Sequence, residues 1–403
     1  MKILMLGWEL PPHNSGGLGV ACYNLCKALS KKSVDIEFVL PYTAEHNIDF
    51  MRINSAHPQD VETVLKAGIA YDSFKYIKHN GDVEWVDLFG QTSIYEEAVE
   101  RIARSTEFDV IHAHDWLTCR AALRAQEVSG KPLIVQLHSI ESDRSGIEHG
   151  GNPLVREIED LAVHMADKVI AVSQHTKEGI MQEYGIPEDK ISVVHNSLDI
   201  CDLQPLDTTN AYNFIAKMKS AGYRVVVNVG RLTIQKGLTN LLQAAQKVVA
   251  HHPKTLFLIV GSGEQYYELI EMTANLGIGQ NVIFTGFMRG KQWRDAFAIS
   301  DLLVMPSVSE PFGITPLESI GYGTPTLISK QSGVSEVLNN CLKVDYWDVD
   351  EMANQITAVM ANDALRDELQ INGYHELEQM SWSKSADKLV GLYNHHAHGV
   401  AYV

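Results

Sequence analysis

Apolar residues in this chain alternate between short unbroken runs and stretches where they recur every three or four positions. The runs Lys2 to Leu6, Val34 to Leu40, Asp109 to His114, Leu133 to His138, Lys168 to Val172 and Ile191 to His195 predict parallel strands buried on both faces. Between them the period becomes helical. Leu18, Ala21, Cys22, Leu25, Ala28 and Leu29 share one face, and Thr118 to Val128, Val155 to Met165 and Thr176 to Glu183 read as further helices. This alternation predicts an α/β domain with a mainly parallel sheet. Ile48 to Leu88 is less regular and is expected to hold hairpins or a flap.

From Asp199 to Tyr223 the pattern lapses into Asp, Thr, Asn and Gly, which marks an inter-domain crossing. The same rhythm then restarts. Strands are expected at Val225 to Val229, Leu256 to Val260, Val282 to Thr285, Leu302 to Met305 and Thr326 to Ser329, with a helix whose face is Leu238, Leu241, Leu242, Ala245, Val248 and Val249. The boundaries are set at 1–200 and 201–403. A last helix, about residues 382–395, carries Trp382, Ala386, Leu389, Val390 and Tyr393 on one stripe and is expected to return to the N-terminal domain. The histidines behind it, His395, His396 and His398, read as a frayed terminus.

A length of 403 residues suits two domains of similar size. Lys plus Arg is 33 against 50 Asp plus Glu, so the net charge is −17, which argues against a nucleic-acid or anionic-membrane binder. The 5 cysteines are scattered without a Cys-x-x-Cys pair and read as reduced thiols. Cys22 and Cys26 fall on one helix face as small buried side chains rather than a metal pair. No apolar run approaches the ~18 residues of a membrane span, and the N-terminus is too short for a signal peptide. A cytoplasmic protein is expected. Nothing in the sequence sets the oligomeric state.

Candidate chemistry sits where strands end. Arg231 and Lys236 follow the strand at Val225, on a loop entering a helix; a guanidinium and an ammonium there suit a diphosphate, or are two solvated cations. Gly261-Ser262-Gly263-Glu264 follows the next strand, and such a tight turn needs glycine with or without a ligand. Glu310 and Glu318 bracket the turn Pro311-Phe312-Gly313. Either carboxylate suits vicinal hydroxyls, and the alternative is a helix cap and a solvated side chain. His112 and His114 alternate along one strand face, a possible metal pair with Asp115 but with no further ligand in view. His138 ends the neighbouring strand, at the edge where open α/β sheets bind ligands. No Gly-x-Ser-x-Gly elbow, P-loop or Asp-x-Asp triplet stands in a supporting context, which weighs against hydrolase, kinase and metal-dependent transferase chemistry.

Taken together, Gly230-Arg231, Lys236-Gly237, Gly261-Ser262-Gly263-Glu264 and Glu310 to Glu318 resemble the retaining glycosyltransferases of family 4 and their glycogen and starch synthase relatives. Gly16-Gly17-Leu18-Gly19, His112-Ala113-His114-Asp115-Trp116 and the segment Ile328 to Val337 resemble the synthase branch. The resemblance implies a GT-B fold: two Rossmann-like doubly wound domains facing a central cleft, the first for the acceptor and the second for a nucleotide-sugar donor. It implies that Arg231 and Lys236 bind the donor diphosphate with Gly313, Ile314 and Thr315, that Glu310 approaches the transferred sugar, and that Glu318 meets the ribose. Gly17 would reach the phosphates, His138 would bond near the reacting sugar, and Asp115 would lie on the acceptor side. Neither metal nor cofactor is implied. Where glycogen synthases carry a lysine before the Gly-Gly pair, this chain reads His13-Asn14-Ser15. The expected reaction is hexosyl transfer, preferably glucose to an α-glucan. The alternatives are a lipid-linked or small acceptor and a sugar-nucleotide 2-epimerase.

Overall fold

The computed structural model describes residues 1–14, 16–66, 73–146 and 150–398. They form two compact units. The first comprises Met1–Glu141, Gly151–Asn196 and the segment from Trp382 onward; the second comprises Ser142–Gly150 and Ser197–Ser381.

In the first unit, strands β1 (Lys2–Leu6), β2 (Asp35–Leu40), β3 (Arg52–Ser55), β7 (Val110–His114), β8 (Leu133–Leu137), β9 (Lys168–Ala171) and β10 (Ile191–Val193) build one sheet, ordered β10-β9-β8-β7-β1-β2-β3. Every pairing in it is parallel. The central strands β7 and β8 are buried along their whole length, which is why they read as continuous apolar runs and not as alternation. The irregular stretch resolves into β3 at the sheet edge and a separate antiparallel meander, β4 (Val61–Lys66), β5 (Phe74–Lys78) and β6 (Val83–Val86). Residues 67–72 of that stretch lie outside the described residues.

In the second unit, β11 (Arg224–Val229), β12 (Thr255–Val260), β13 (Val282–Gly286), β14 (Leu302–Met305), β15 (Thr326–Ser329) and β16 (Leu342–Val344) form a parallel sheet ordered β13-β12-β11-β14-β15-β16. Its strands supply two cores, one per face. Val226, Phe257 and Ile259 pack with the helices Leu238–His251 and Val349–Ala361, while Val225, Val227, Leu258 and Val260 pack with Ile215 and Phe297. Neighbouring residues thus go to opposite cores, as the pleat requires.

The polar stretch before Tyr223 holds a 3-10 turn at Ile200–Asp202 and a helix at Asn213–Ser220, whose 8 residues are too few to stand out by period. One expectation needs correction: the chain does not fray at His395. The last helix runs Trp382–His398, anchored in the first unit by Trp382, Ala386, Leu389 and Tyr393, each buried. An ion pair between Lys32 and Asp387 (2.5 Å) and a hydrogen bond from Ser385 Oγ to the His195 carbonyl (2.7 Å) fix its rotation.

Among the described residues, no helix is long and apolar enough to cross a membrane.

Candidate functional site

In the second unit, polar groups collect at the C-terminal ends of β11 and β14, the two strands paired at the centre of the sheet. After β11 the chain passes through Gly230, Arg231 and a 3-10 turn, Ile234–Lys236, before the helix Leu238–His251. Gly237 carries φ +65°, and a Cβ there would stand 2.0 Å from the Pro306 carbonyl oxygen. Only glycine permits both. Next to it, the Val308 amide donates to the Gln235 carbonyl at 2.8 Å. The two loops are therefore bound backbone to backbone, which delivers Lys236 to Glu310: Nζ lies 2.5 Å from Oε2. Ser307 Oγ donates to the same oxygen at 3.1 Å.

The Gly261-Ser262-Gly263 turn is explained by the same loop. At Gly261 (φ +148°) a Cβ would lie 1.8 Å from the Gly230 carbonyl oxygen. The Leu232 amide donates to Ser262 O at 2.9 Å, and the Gln265 amide donates to Leu232 O at 3.0 Å. These glycines bring one turn against another and so set the backbone on either side of Arg231. Among the described residues Arg231 has no carboxylate partner, which leaves its fork available to an anion.

Glu310 is also held by its backbone, donating to Gln331 O (3.0 Å) and accepting from the Gly333 amide (2.9 Å). Gly313, at φ +93°, turns the chain into the helix Thr315–Gly321, which Ile314 precedes. First-turn amides have no carbonyl inside their own helix and can face an acceptor. Glu318 lies in that short helix, partly exposed as a residue. Burial of its carboxyl pushes the pKa up to about 8, so near neutral pH it carries a proton and can both donate and accept.

In the first unit, β7 and β8 deliver a buried line of imidazoles. His112 and His114 do share one strand face, their rings 4.4 Å apart. His112 Nδ1 meets the Tyr393 hydroxyl at 2.6 Å, His114 Nδ1 lies 3.0 Å from His138 Nε2, and His114 Nε2 lies 3.0 Å from Met5 Sδ. Burial drives the pKa of His112 and of His138 down to about 3 and lowers that of His114 as well. All three are neutral in the physiological range.

Asp115 stands at the start of the helix Trp116–Ser129. It is buried, with φ +60°, and its Oδ1 accepts the amides of His138 (2.6 Å) and Ser139 (3.4 Å). Its own amide donates to Gln136 O at 3.0 Å. Asp115 thus positions His138. Gly17 opens the helix Gly17–Ser30 and is exposed, with nothing within 4 Å of where a Cβ would be. Ser15 beside it lies outside the described residues.

The metal set suggested by spacing, His112, His114 and Asp115, is not the one the fold assembles. Cys22, His114 and His138 each bring one donor atom to within 4.8 Å of the others. Cys22 lies nearly a hundred residues from His114, so no local spacing could show it. The partnership of Tyr393 with His112 was equally hidden, although the apolar stripe of its helix pointed to a buried role.

Comparison with known proteins gives a consistent picture. Residues 15–201 match the family described as Glycosyltransferase Family 4, and residues 213–376 match Glycosyl transferases group 1. An uncharacterized glycosyltransferase of Methanocaldococcus jannaschii is 28% identical, over 98% of both chains. A glycogen synthase of Mycobacterium tuberculosis is 28% identical over 84% of this chain and 80% of its own. Among solved structures, that of an Anabaena protein, HepE, in complex with UDP-glucose superposes with a TM-score of 0.71 at 21% identity, covering 97% of this chain and 100% of that one.

Proposed function

We propose that this member of glycosyltransferase family 4, with its GT-B fold, takes a nucleotide sugar as donor and transfers glucose to an α-glucan with retention of anomeric configuration. The observation that carries the reading is the loop of the second unit on which an unpartnered Arg231 and a Lys236 paired with Glu310 stand beside the start of a helix. Two cations and first-turn amides suit a diphosphate, and a carboxylate next to them suits sugar hydroxyls. The glycogen synthase relative supports glucan as acceptor.

In this mechanism the diphosphate takes up Lys236, which frees Glu310 to accept hydroxyls of the transferred sugar. The bond from the anomeric carbon to the diphosphate oxygen breaks as the acceptor oxygen forms its own bond to that carbon on the same face. The acceptor proton leaves with the diphosphate. Arg231, Lys236 and the amides of Ile314 and Thr315 stabilise the charge that develops on the leaving group, the term that usually dominates such catalysis. Gly313 shapes that turn, and Glu318 receives the ribose. No metal ion is needed in this scheme. From the first unit, Gly17 leaves room for a phosphate at its helix start. His138, neutral and held by Asp115, hydrogen-bonds the reacting sugar.

The test is nucleotide release from UDP-, ADP- and GDP-glucose, with and without maltooligosaccharide, in EDTA. Release that requires the glucan, with an α-linked product by NMR, is expected. Lys236→Ala should weaken UDP binding by roughly tenfold or more, the value of one charge-assisted contact. Donor turnover without acceptor would point to an epimerase, and release only with a small or lipid-linked acceptor would replace the glucan reading.

A further inference from the structure

The first unit holds a group of side chains that the transfer reaction does not need in full. Cys22 comes from the helix Gly17–Ser30, His114 from the end of β7 and His138 from the end of β8. Cys22 and His114 are fully buried, and His138 is partly open. We propose that Cys22, His114 and His138 form a binding site for one thiophilic transition-metal cation of the Zn2+ class.

Geometry supports this first. Two imidazole nitrogens on one tetrahedral Zn2+, at about 2.0–2.1 Å each, stand about 3.3–3.4 Å apart, and a thiolate stands about 3.6 Å from either. Here His114 Nδ1 and His138 Nε2 are 3.0 Å apart, and the three donor atoms lie within 4.8 Å of one another. Opening the histidine pair by a few tenths of an ångström and drawing the Cys22 sulfur in from within 4.8 Å would seat the ion.

The donor set also chooses the ion. One thiol and two imidazoles with no carboxylate among them suit Zn2+ and exclude Mg2+ and Ca2+, which take oxygen. Ligation requires a thiolate, so ion binding releases the proton of the Cys22 sulfur. Outer contacts orient the ligands, as metal sites require: Met5 Sδ lies against His114 Nε2, and Asp115 fixes the His138 backbone.

A bound ion would take the His138 nitrogen and so compete with the sugar. This consequence rests on the role given to His138 under the proposed function, whereas the site itself does not.

The experiment uses the full chain, stripped by chelator and titrated with Co2+, whose thiolate complexes show a ligand-to-metal charge-transfer band. One equivalent should raise the band, Zn2+ should abolish it, and Cys22→Ala and Cys22→Ser should lack it while keeping the native circular dichroism. Cys201→Ala and Cys341→Ala should retain it. No band in the wild type, or a band that persists in both Cys22 variants, overturns the site. In parallel, Zn2+ should suppress transfer by the wild type and spare Cys22→Ala. A Cys22-dependent band without loss of transfer would uphold the site and remove His138 from the reacting sugar.

Discussion

Glu318 offers a measurable link between the second unit's stability and pH. Its carboxyl is lifted from the usual 4.5 to about 8 by burial alone, so the folded chain keeps a proton that the unfolded chain gives up. The folded state therefore binds more protons between those values, and stability falls as pH rises through that window. Below about pH 4.5 the contribution is fully present; above about pH 8 it is gone. One proton corresponds to about 1.4 kcal/mol per pH unit, so a step from about pH 5.5 to 7.5 costs roughly 2.5 kcal/mol. The residue is partly exposed, which trims this to about 2 kcal/mol. With a urea slope of about 2 kcal/mol per molar, the midpoint should drop by about 1 M. Glu318→Gln keeps the shape and removes the titration. Urea melts of both proteins at the two pH values should show the variant losing about 1 M less than the wild type. Parallel losses in the two proteins would refute the claim that this carboxyl is protonated in the fold.

Other consequences are more local. Gly237→Ala places a methyl against the Pro306 carbonyl and forces a positive φ, so it should cost about 2 kcal/mol or more and weaken UDP binding, read by melting and calorimetry. Asp115→Ala strips the acceptor from the His138 amide; a loss of about 1.5–3 kcal/mol of stability and a fall in kcat are expected, with Asp115→Asn closer to the wild type because it keeps an acceptor oxygen. Unchanged kcat in Asp115→Ala would separate that residue from the chemistry.

The sequence disclosed the strands because buried parallel strands are uniformly apolar, and β7, β8, β12 and β14 are buried throughout. It was silent on β3 and β16, short strands on sheet edges whose half-exposed residues leave no such run. Site residues at strand ends were legible for the same reason the strands were. What those residues touch was not. Lys236 and Glu310 bond each other across 74 positions, a pairing no local spacing shows. Nor does the sequence show that Asp115 Oδ1 accepts the His138 amide in the loop after β8. The Gly261 turn gave no sign that its partner was the Gly230 carbonyl, because close backbone approach depends on strand order and not on local spacing.

The last helix has a consequence for how the chain is made. Ribosomal synthesis releases β1 to β10 before Ser197–Ser381 of the second unit, and the segment Trp382–His398 that belongs with those strands only after it. The second unit can therefore complete its core while the nascent first unit still shows the apolar surface that Trp382, Leu389 and Tyr393 will cover, and His112 still lacks its phenol. Of the two units, the one that emerges earlier finishes later, and a chain stopped after Ser381 would leave the ribosome with that face open.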